Sequence, residues 1–161
     1  MATPTYDLLN STTLGTAAAS LTFSGISGSY GDLVLVISGT VTSSNITLAI
    51  RFNGDTGSNY FSVNMRGDGS AASSTSWSSI SLGYHGAFDT NQGLSIINIM
   101  DYAATNKHKT ILSRTGSSSF DVRAHAVRWA DTSAITSITL LTDGAPIYDT
   151  GTTFQLFGVA K

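Results

Sequence analysis

The segment Ile46-Thr47-Leu48-Ala49-Ile50-Arg51-Phe52-Asn53-Gly54 decides the fold class of this chain. Every second residue of its first seven is a large apolar one, which is the period of a β-strand rather than of a helix. The Asn-Gly pair that follows is a dipeptide that favours a tight turn. The segment therefore predicts a strand with one buried face. We expect four side chains of this strand to point into a core: Ile46, Leu48, Ile50 and Phe52.

Working outward from this segment, the same strand period recurs along the chain. Residues 33–37 and 96–100 are near-continuous apolar runs, which are typical of strands covered on both faces. Residues 153–159 form a last alternating run at the end of the chain. Clusters of Gly, Asn and Asp separate the runs, at roughly the 8–12 residue spacing of a sandwich or barrel. The sequence thus predicts an all-β, antiparallel β-sandwich in a single domain, with about eight to ten strands.

Three segments carry more specific expectations. In residues 120–126 the apolar Phe120, Val122, Ala124 and Ala126 alternate with polar residues, so we expect His125 to face outward. Residues 67–79 are rich in Ser and Gly and predict a long loop with a single aromatic anchor, Trp77. Residues 131–134 allow one helical turn capped by Asp131. We expect no helix longer than about two turns anywhere in the chain.

The composition excludes several classes of partner. The chain has 24 Ser and 22 Thr among 161 residues, but charged residues make up only 11%, against about 25% in a typical domain. Eight scattered Lys and Arg with a net charge of −2 do not form the basic face that nucleic acid requires. No basic amphipathic helix or run of about 18 apolar residues points to a membrane. We expect no nucleic-acid partner and no membrane association.

The absence of cysteine bears on where the protein is made. A chain without cysteine has no disulfide and no thiolate metal site, which suits a protein that folds in a reducing cytosol. The N-terminal residues 1–7 have neither the basic nor the apolar region of a signal peptide. We therefore expect synthesis in a reducing cytoplasm, without secretion by a signal of its own.

Two Asp-Thr-Gly tripeptides, at residues 55–57 and 149–151, suggest the paired aspartates of an aspartic protease. The Asn53-Gly54 turn directly before Asp55 is expected to leave that carboxylate exposed, so we interpret both tripeptides as turns. The tripeptide Arg66-Gly67-Asp68 is the one that integrins recognise, but it too is typical of an ordinary tight turn.

The three histidines do not indicate a metal or catalytic site. His85, His108 and His125 lack a second histidine at metal-ligand spacing, and no Gly-x-Ser-x-Gly elbow is present. Nothing in the sequence selects a Ser-His-Asp triad, although such triads are assembled in space rather than in sequence. We expect a protein that is not an enzyme and that binds no cofactor or metal.

Three segments together resemble a known family: residues 6–26, residues 48–60 and residues 151–159. The chain is similar in these segments to small jelly-roll virion proteins of tailed bacteriophages, which include capsid decoration (cement) proteins and tail-fibre or spike modules. The resemblance implies a β-sandwich of jelly-roll type, a place in the virion and assembly as a homotrimer.

The first functional hypothesis is a capsid decoration protein that binds the outer surface of the lattice of the major capsid protein. We divide the chain into a short N-terminal arm, residues 1–7, and a jelly-roll domain, residues 8–161. The arm contains Pro4 and is uncharged before Asp7, which suits an extended segment that reaches a neighbour. The residues expected to bind the partner are Ala2, Thr3, Pro4, Thr5 and Trp77.

Two other hypotheses remain open. A tail-fibre or spike module would bind other tail proteins or a host surface glycan, with Trp77, Tyr84 or Trp129 as candidate stacking aromatics. A glycan-degrading enzyme on the same fold would need two carboxylates spaced for acid and base catalysis. Because the chain has no long shaft and its ten acidic residues fall mostly in turn signals, we favour decoration.

Overall fold

A computed structural model describes residues 5–117, 121–145 and 147–161 of the protein. The described residues form strands and connecting turns without a helix, so the predicted all-β class is confirmed. The strands are β1 (Tyr6–Thr13), β2 (Ser20–Ser24), β3 (Asp32–Gly39), β4 (Ile46–Phe52), β5 (Tyr60–Gly67), β6 (Ala72–Ile80), β7 (Gly83–Phe88), β8 (Gly93–Ile99), β9 (Lys109–Ser117), β10 (Val122–Trp129), β11 (Ser137–Thr142) and β12 (Thr153–Val159).

The strands build two antiparallel sheets that face each other as a jelly-roll-like β-sandwich, as predicted. The large sheet has eight strands in the order β1-β12-β3-β8-β9-β10-β5-β6, and the small sheet has the order β2-β11-β4-β7. Most neighbours are distant in sequence: the C-terminal strand β12, for example, lies between β1 and β3. Strands from the two ends of the sequence therefore lie side by side in one sheet.

The core lies between the sheets, and β4 supplies its centre as predicted. Leu48, Ile50 and Phe52 are fully buried, and Ile46 packs against the same cluster. The Phe52 ring lies 5.5 Å from the ring of Trp129 between centroids, and its backbone N–H donates to the hydroxyl of Tyr60 at 2.9 Å. An aromatic group with so many partners contributes several kcal/mol to folding.

The prediction of a long loop over residues 67–79 is wrong. Strand β6 begins at Ala72 and pairs with β5 along its whole length, and the hairpin turns at Asp68, whose carboxylate accepts hydrogen bonds from Ser70 and Ala71. Strand β6 is exposed on both faces except near Trp77 and Ile80. Since neither face is buried, no apolar alternation marks this strand, and its backbone pairing alone defines it.

The predicted faces of β10 are reversed. Val122 is exposed, whereas Arg123 and His125 are buried; Phe120 lies outside the described residues. The side chains of Val127 and Trp129 point to the same face of the strand as that of His125, and both are buried in the core. Because side chains alternate strictly in a strand, burial of these two large residues turns the polar residues inward as well.

Two smaller expectations also differ from the structure. The Asn53-Gly54 turn adopts the expected positive φ angles of 52° and 69°, but it connects strands of different sheets rather than a hairpin. No helical turn forms at residues 131–134; instead the Asp131 carboxylate accepts the backbone N–H of Ser133 at 2.6 Å.

Candidate interaction surface

The structure describes only the last residues of the expected N-terminal arm. Ala2, Thr3 and Pro4 lie outside the described residues. Thr5 is exposed, and its carbonyl accepts the backbone N–H of Ala160 at 3.0 Å. Tyr6 and Asp7, which we assigned to the arm, are the first two residues of β1 and pair with β12.

Trp77 belongs to a small aromatic patch where β6 meets β7. It is half-buried, and its ring packs edge-on against that of Tyr84 at a centroid distance of 5.2 Å. The Tyr84 hydroxyl donates to the Asp143 carboxylate at 2.9 Å, and burial followed by this hydrogen bond raises the pKa of Tyr84 to about 12. The other candidate aromatic, Trp129, is a core residue whose indole N–H donates to Asp55 at 2.7 Å.

A second candidate surface is the outer face of the eight-stranded sheet. Its side chains alternate with the buried core residues of each strand, and the strand register aligns them in rows across the sheet. We define the outer face by two such rows. One row consists of Leu8, Phe157, Val34, Asn98, Leu112, Ala126 and Val63. The next row consists of Gln155, Val36, Ile96, Arg114, Ala124 and Met65.

The outer face and its margins expose an unusual amount of apolar surface. Seven large apolar side chains there are between 41% and 69% exposed: Tyr6, Leu8, Met65, Leu94, Met100, Leu112 and Val122. A soluble monomer rarely exposes contiguous apolar patches larger than a few hundred Å², and larger ones mark interaction sites. Seven large, substantially exposed apolar side chains on one side of one sheet therefore point to a binding surface.

The sequences of β3 and β8 are typical of strands that are covered on both faces. In the described structure, however, the outer side of these strands is uncovered. Leu33, Leu35 and Ile37 of β3 are fully buried in the core, as expected. The residues between them, Val34 and Val36, are only half-buried. The apolar pattern of these strands therefore extends onto the outer face, where the described residues leave it only partly buried.

Charge is sparse in the two rows of the outer face, and the nearest outward-facing charges, Asp32 of β3 and Arg128 of β10, lie just beyond them. Of the thirteen residues in its two rows, Arg114 is the single charged one, and none is acidic. The side chain of Arg114 is exposed, and its guanidinium makes no hydrogen bond or ion pair with any described residue. Three shallow depressions, of about 680, 230 and 250 Å³, meet at this side chain. An apolar surface with an exposed guanidinium is suited to binding a partner.

A buried polar cluster lies behind this face, under strand β7, and sequence reasoning missed it. His85 of β7 and His125 of β10 are buried, and none of their four ring nitrogens has a hydrogen bond of normal geometry among the described residues. Burial, followed by the neighbouring His125, lowers the pKa of His85 to about 3. Burial, followed by the positive charge of Arg123, lowers the pKa of His125 to about 4. Both imidazoles are therefore neutral at pH 7.

The same cluster contains buried charge. Asp121 forms ion pairs with Arg66 at 2.5 Å and with Arg123 at 2.8 Å, and Arg123 also donates to the side chain of Asn45 at 2.8 Å. These contacts tie the β9–β10 end of the large sheet to the loop before β4. The arrangement is a structural network, which explains how Arg123 is tolerated at an inward position of β10.

The residues considered for catalysis have structural partners. Both carboxylate oxygens of Asp55 accept hydrogen bonds, from Gly57 and from Asn59 and Trp129. These acceptor bonds lower the pKa of Asp55 in spite of its partial burial, the largest single influence, which acts in the opposite direction. Asp149 accepts from the backbone of Thr150. Ser113 donates to the backbone carbonyl of His85 at 2.6 Å rather than to an imidazole.

Comparisons with known proteins do not identify a family. No protein-family model matches the chain, and no curated protein is similar to it. Within the part of the chain that the structure describes, no three His or Asp side chains are grouped so as to hold a metal ion. No helix in the same residues is long and apolar enough to cross a membrane.

Proposed function

We propose that this protein is a non-enzymatic structural component of a bacteriophage virion, a capsid decoration protein that binds the outer surface of the major capsid protein lattice. The outer face of the eight-stranded sheet is the observation that carries this proposal. It is a broad, nearly uncharged apolar surface on strands whose sequences are typical of burial on both sides. The resemblance to phage jelly-roll proteins agrees with a module of this kind.

The physics of the outer face fits attachment to a repeating lattice. Apolar contacts lose little strength when salt screens charges, and exposed ion pairs would add only about 0–1 kcal/mol each. A homotrimer, which the family resemblance implies, would present three copies of the face at once. Several weak contacts made together bind far more tightly than one, because the second and third contacts are intramolecular.

Imaging of phage particles that carry labelled protein tests this proposal. Label distributed over the icosahedral shell is the expected result, and label confined to the tail would contradict it. A variant with polar side chains on the outer face, Leu112→Ser with Val122→Ser, is expected to lose the shell signal. A matched variant on the small sheet, Thr22→Ser with Thr139→Ser, should keep it, because this exposed pair lies on the other sheet.

A second candidate function is a tail-fibre or spike module that binds a host glycan, and the patch of Trp77, Tyr84 and Asp143 favours it. Sugar sites combine an aromatic face with hydrogen-bonding groups, and the half-buried Trp77 and Tyr84 with the Asp143 carboxylate supply both. Trp77→Ala should then abolish adsorption of the phage to host cells and leave incorporation into particles unchanged. Loss of incorporation instead would assign Trp77 to assembly.

A further inference from the structure

The position of Arg114 on the outer face points to the chemistry of the partner. Its neighbours across the sheet are Ile96 on β8 and Ala124 on β10. Two residues away along β9 lie Leu112 and Gly116. The small side chains of Ala124 and Gly116 leave space beside the guanidinium, where the three depressions meet. The residues beside Arg114 in the sheet are thus apolar or small, and no described residue forms an ion pair with its guanidinium. Arg66 and Arg123 line the largest of the three depressions together with Arg114, but both are paired with Asp121.

An apolar partner that covered this face would remove Arg114 from water. A guanidinium remains charged at all ordinary pH values, so it cannot lose its proton to avoid the cost of burial. Burial of an unpaired charge is strongly unfavourable unless an oppositely charged, hydrogen-bonding group accompanies it. A carboxylate is the protein group that fits, since its two oxygens match the paired N–H donors of arginine.

A second copy of the chain does not supply that carboxylate from the same face. The two rows of the outer face contain no acidic residue, and Asp32, at an outward position of β3 beyond them, already accepts the backbone N–H of Asp101. Asp121, the acidic residue behind the face, is buried and paired with Arg66 and Arg123. A two-fold contact centred on this face would also bring two Arg114 side chains together, because such an interface joins a patch to itself. Like charges placed opposite each other at an interface are unfavourable.

We infer that the outer face docks on a different protein, whose apolar contact surface carries one Asp or Glu side chain that pairs with Arg114. This inference rests on the proposed function, since it names the chemistry of the partner at the same surface. It makes Arg114 the residue that sets the register of the complex, while the apolar rows contribute most of the contact area. In the proposed decoration role the partner is the capsid protein.

Arg128 provides a matched control on the same side of the eight-stranded sheet. It is exposed at an outward position of β10, and its guanidinium lies 5.8 Å from the ring centroid of Phe61. Arg114→Gln and Arg128→Gln therefore remove the same charge, one at the centre of the outer face and one beyond its two rows. Both residues are exposed, so both variants should keep the melting temperature of the parent protein.

The experiment measures the binding of purified variants to phage particles that lack the protein, by sedimentation over a concentration series. Arg114→Gln should weaken binding at least about 30-fold, as expected for removing one member of a buried charge pair. Arg114→Lys should have an intermediate effect, because lysine keeps the charge but lacks the two-pronged geometry. Arg128→Gln should bind within about twofold of the parent.

Two outcomes would overturn the inference and separate it from the proposed function. If Arg114→Gln binds like the parent while Leu112→Ser with Val122→Ser does not, the outer face binds the particle but Arg114 does not recognise a carboxylate. If Arg114→Gln instead associates more tightly with itself, the face is a contact between copies of this chain, from which a repulsive charge has been removed. If neither Arg114→Gln nor Leu112→Ser with Val122→Ser changes binding, both the inference and the role of the face are wrong.

Discussion

Acidification should lower the free energy of unfolding of this protein steeply, because folding holds His85 and His125 in their neutral forms. Their pKa values are lowered to about 3 and about 4 by burial, with the nearby His125 and Arg123 adding to the effect. The unfolded chain binds these two protons near pH 6.5. A lowered pKa in the folded state means that protons favour the unfolded state, so stability is full above pH 6.5 and falls as the pH drops below it.

The magnitude follows from the two pKa values. Each histidine that stays neutral in the folded state costs about 1.4 kcal/mol for each pH unit below 6.5. At pH 4.5 this amounts to roughly 2.5 kcal/mol for each of the two, or about 5 kcal/mol together. That loss is comparable with the whole stability of a small domain, which is about 5–15 kcal/mol. Among the described charged groups of this cluster, Asp121 partly offsets the charge of Arg66 and Arg123.

The assay is urea unfolding followed by tryptophan fluorescence at pH values from 7.5 to 4.5. His85→Asn should lower the slope of the unfolding free energy against pH by about one proton, or about 1.4 kcal/mol per pH unit between pH 6 and 4.5. His108→Asn is the matched control, since it removes an exposed histidine rather than a buried one. An unchanged slope in His85→Asn would refute the conclusion that folding keeps this imidazole neutral.

Three further predictions concern the core, the assembly and the arm. Phe52→Ala should cost roughly 3–5 kcal/mol of unfolding free energy, measured by chemical denaturation; a loss below about 1 kcal/mol would mean that this side chain does not anchor the core. The protein should have the mass of a homotrimer in light scattering, and a monomer mass at high concentration would contradict that state. Deletion of residues 2–5 should release the protein from particles without lowering its melting temperature; normal binding of the deletion variant would leave the outer face as the sole anchor.

The sequence predicts those strands of the fold in which one face is buried and the other is not. The prediction for β4 is correct in its bounds and in the direction of its large side chains. Large apolar residues occupy every second position of this strand, and a turn dipeptide follows it. Strand β6 cannot be predicted in this way, since residues 72–80 are exposed on both faces and only their pairing with β5 makes them a strand. The faces of β10 are predicted wrongly from the alternation of Phe120, Val122, Ala124 and Ala126, whereas the buried Val127 and Trp129 determine them.

The outer face was not predictable from sequence, because it depends on the order of the strands. Phe157, Val34 and Leu112 come from three separate regions of the chain and become neighbours only when β12, β3, β8 and β9 line up. The available signal was the near-continuous apolar character of β3 and β8, which indicates covering on both sides. This signal indicates that both faces of the two strands are buried in the working assembly. It does not indicate which residues of other strands share the outer face, or that Arg114 lies at the centre of that face.

The central claim is that the outer face of the eight-stranded sheet is covered when the protein is in its working assembly. Methionine oxidation tests this most directly, because Met65 and Met100 lie on this side of the sheet and are 54% and 41% exposed in the chain by itself. The measurement compares the rates at which peroxide oxidises these two residues, by peptide mass spectrometry, in the purified protein and on intact particles. Our account predicts at least about tenfold slower oxidation of both on the particle. Equal rates for protein that remains bound to the particle would contradict it.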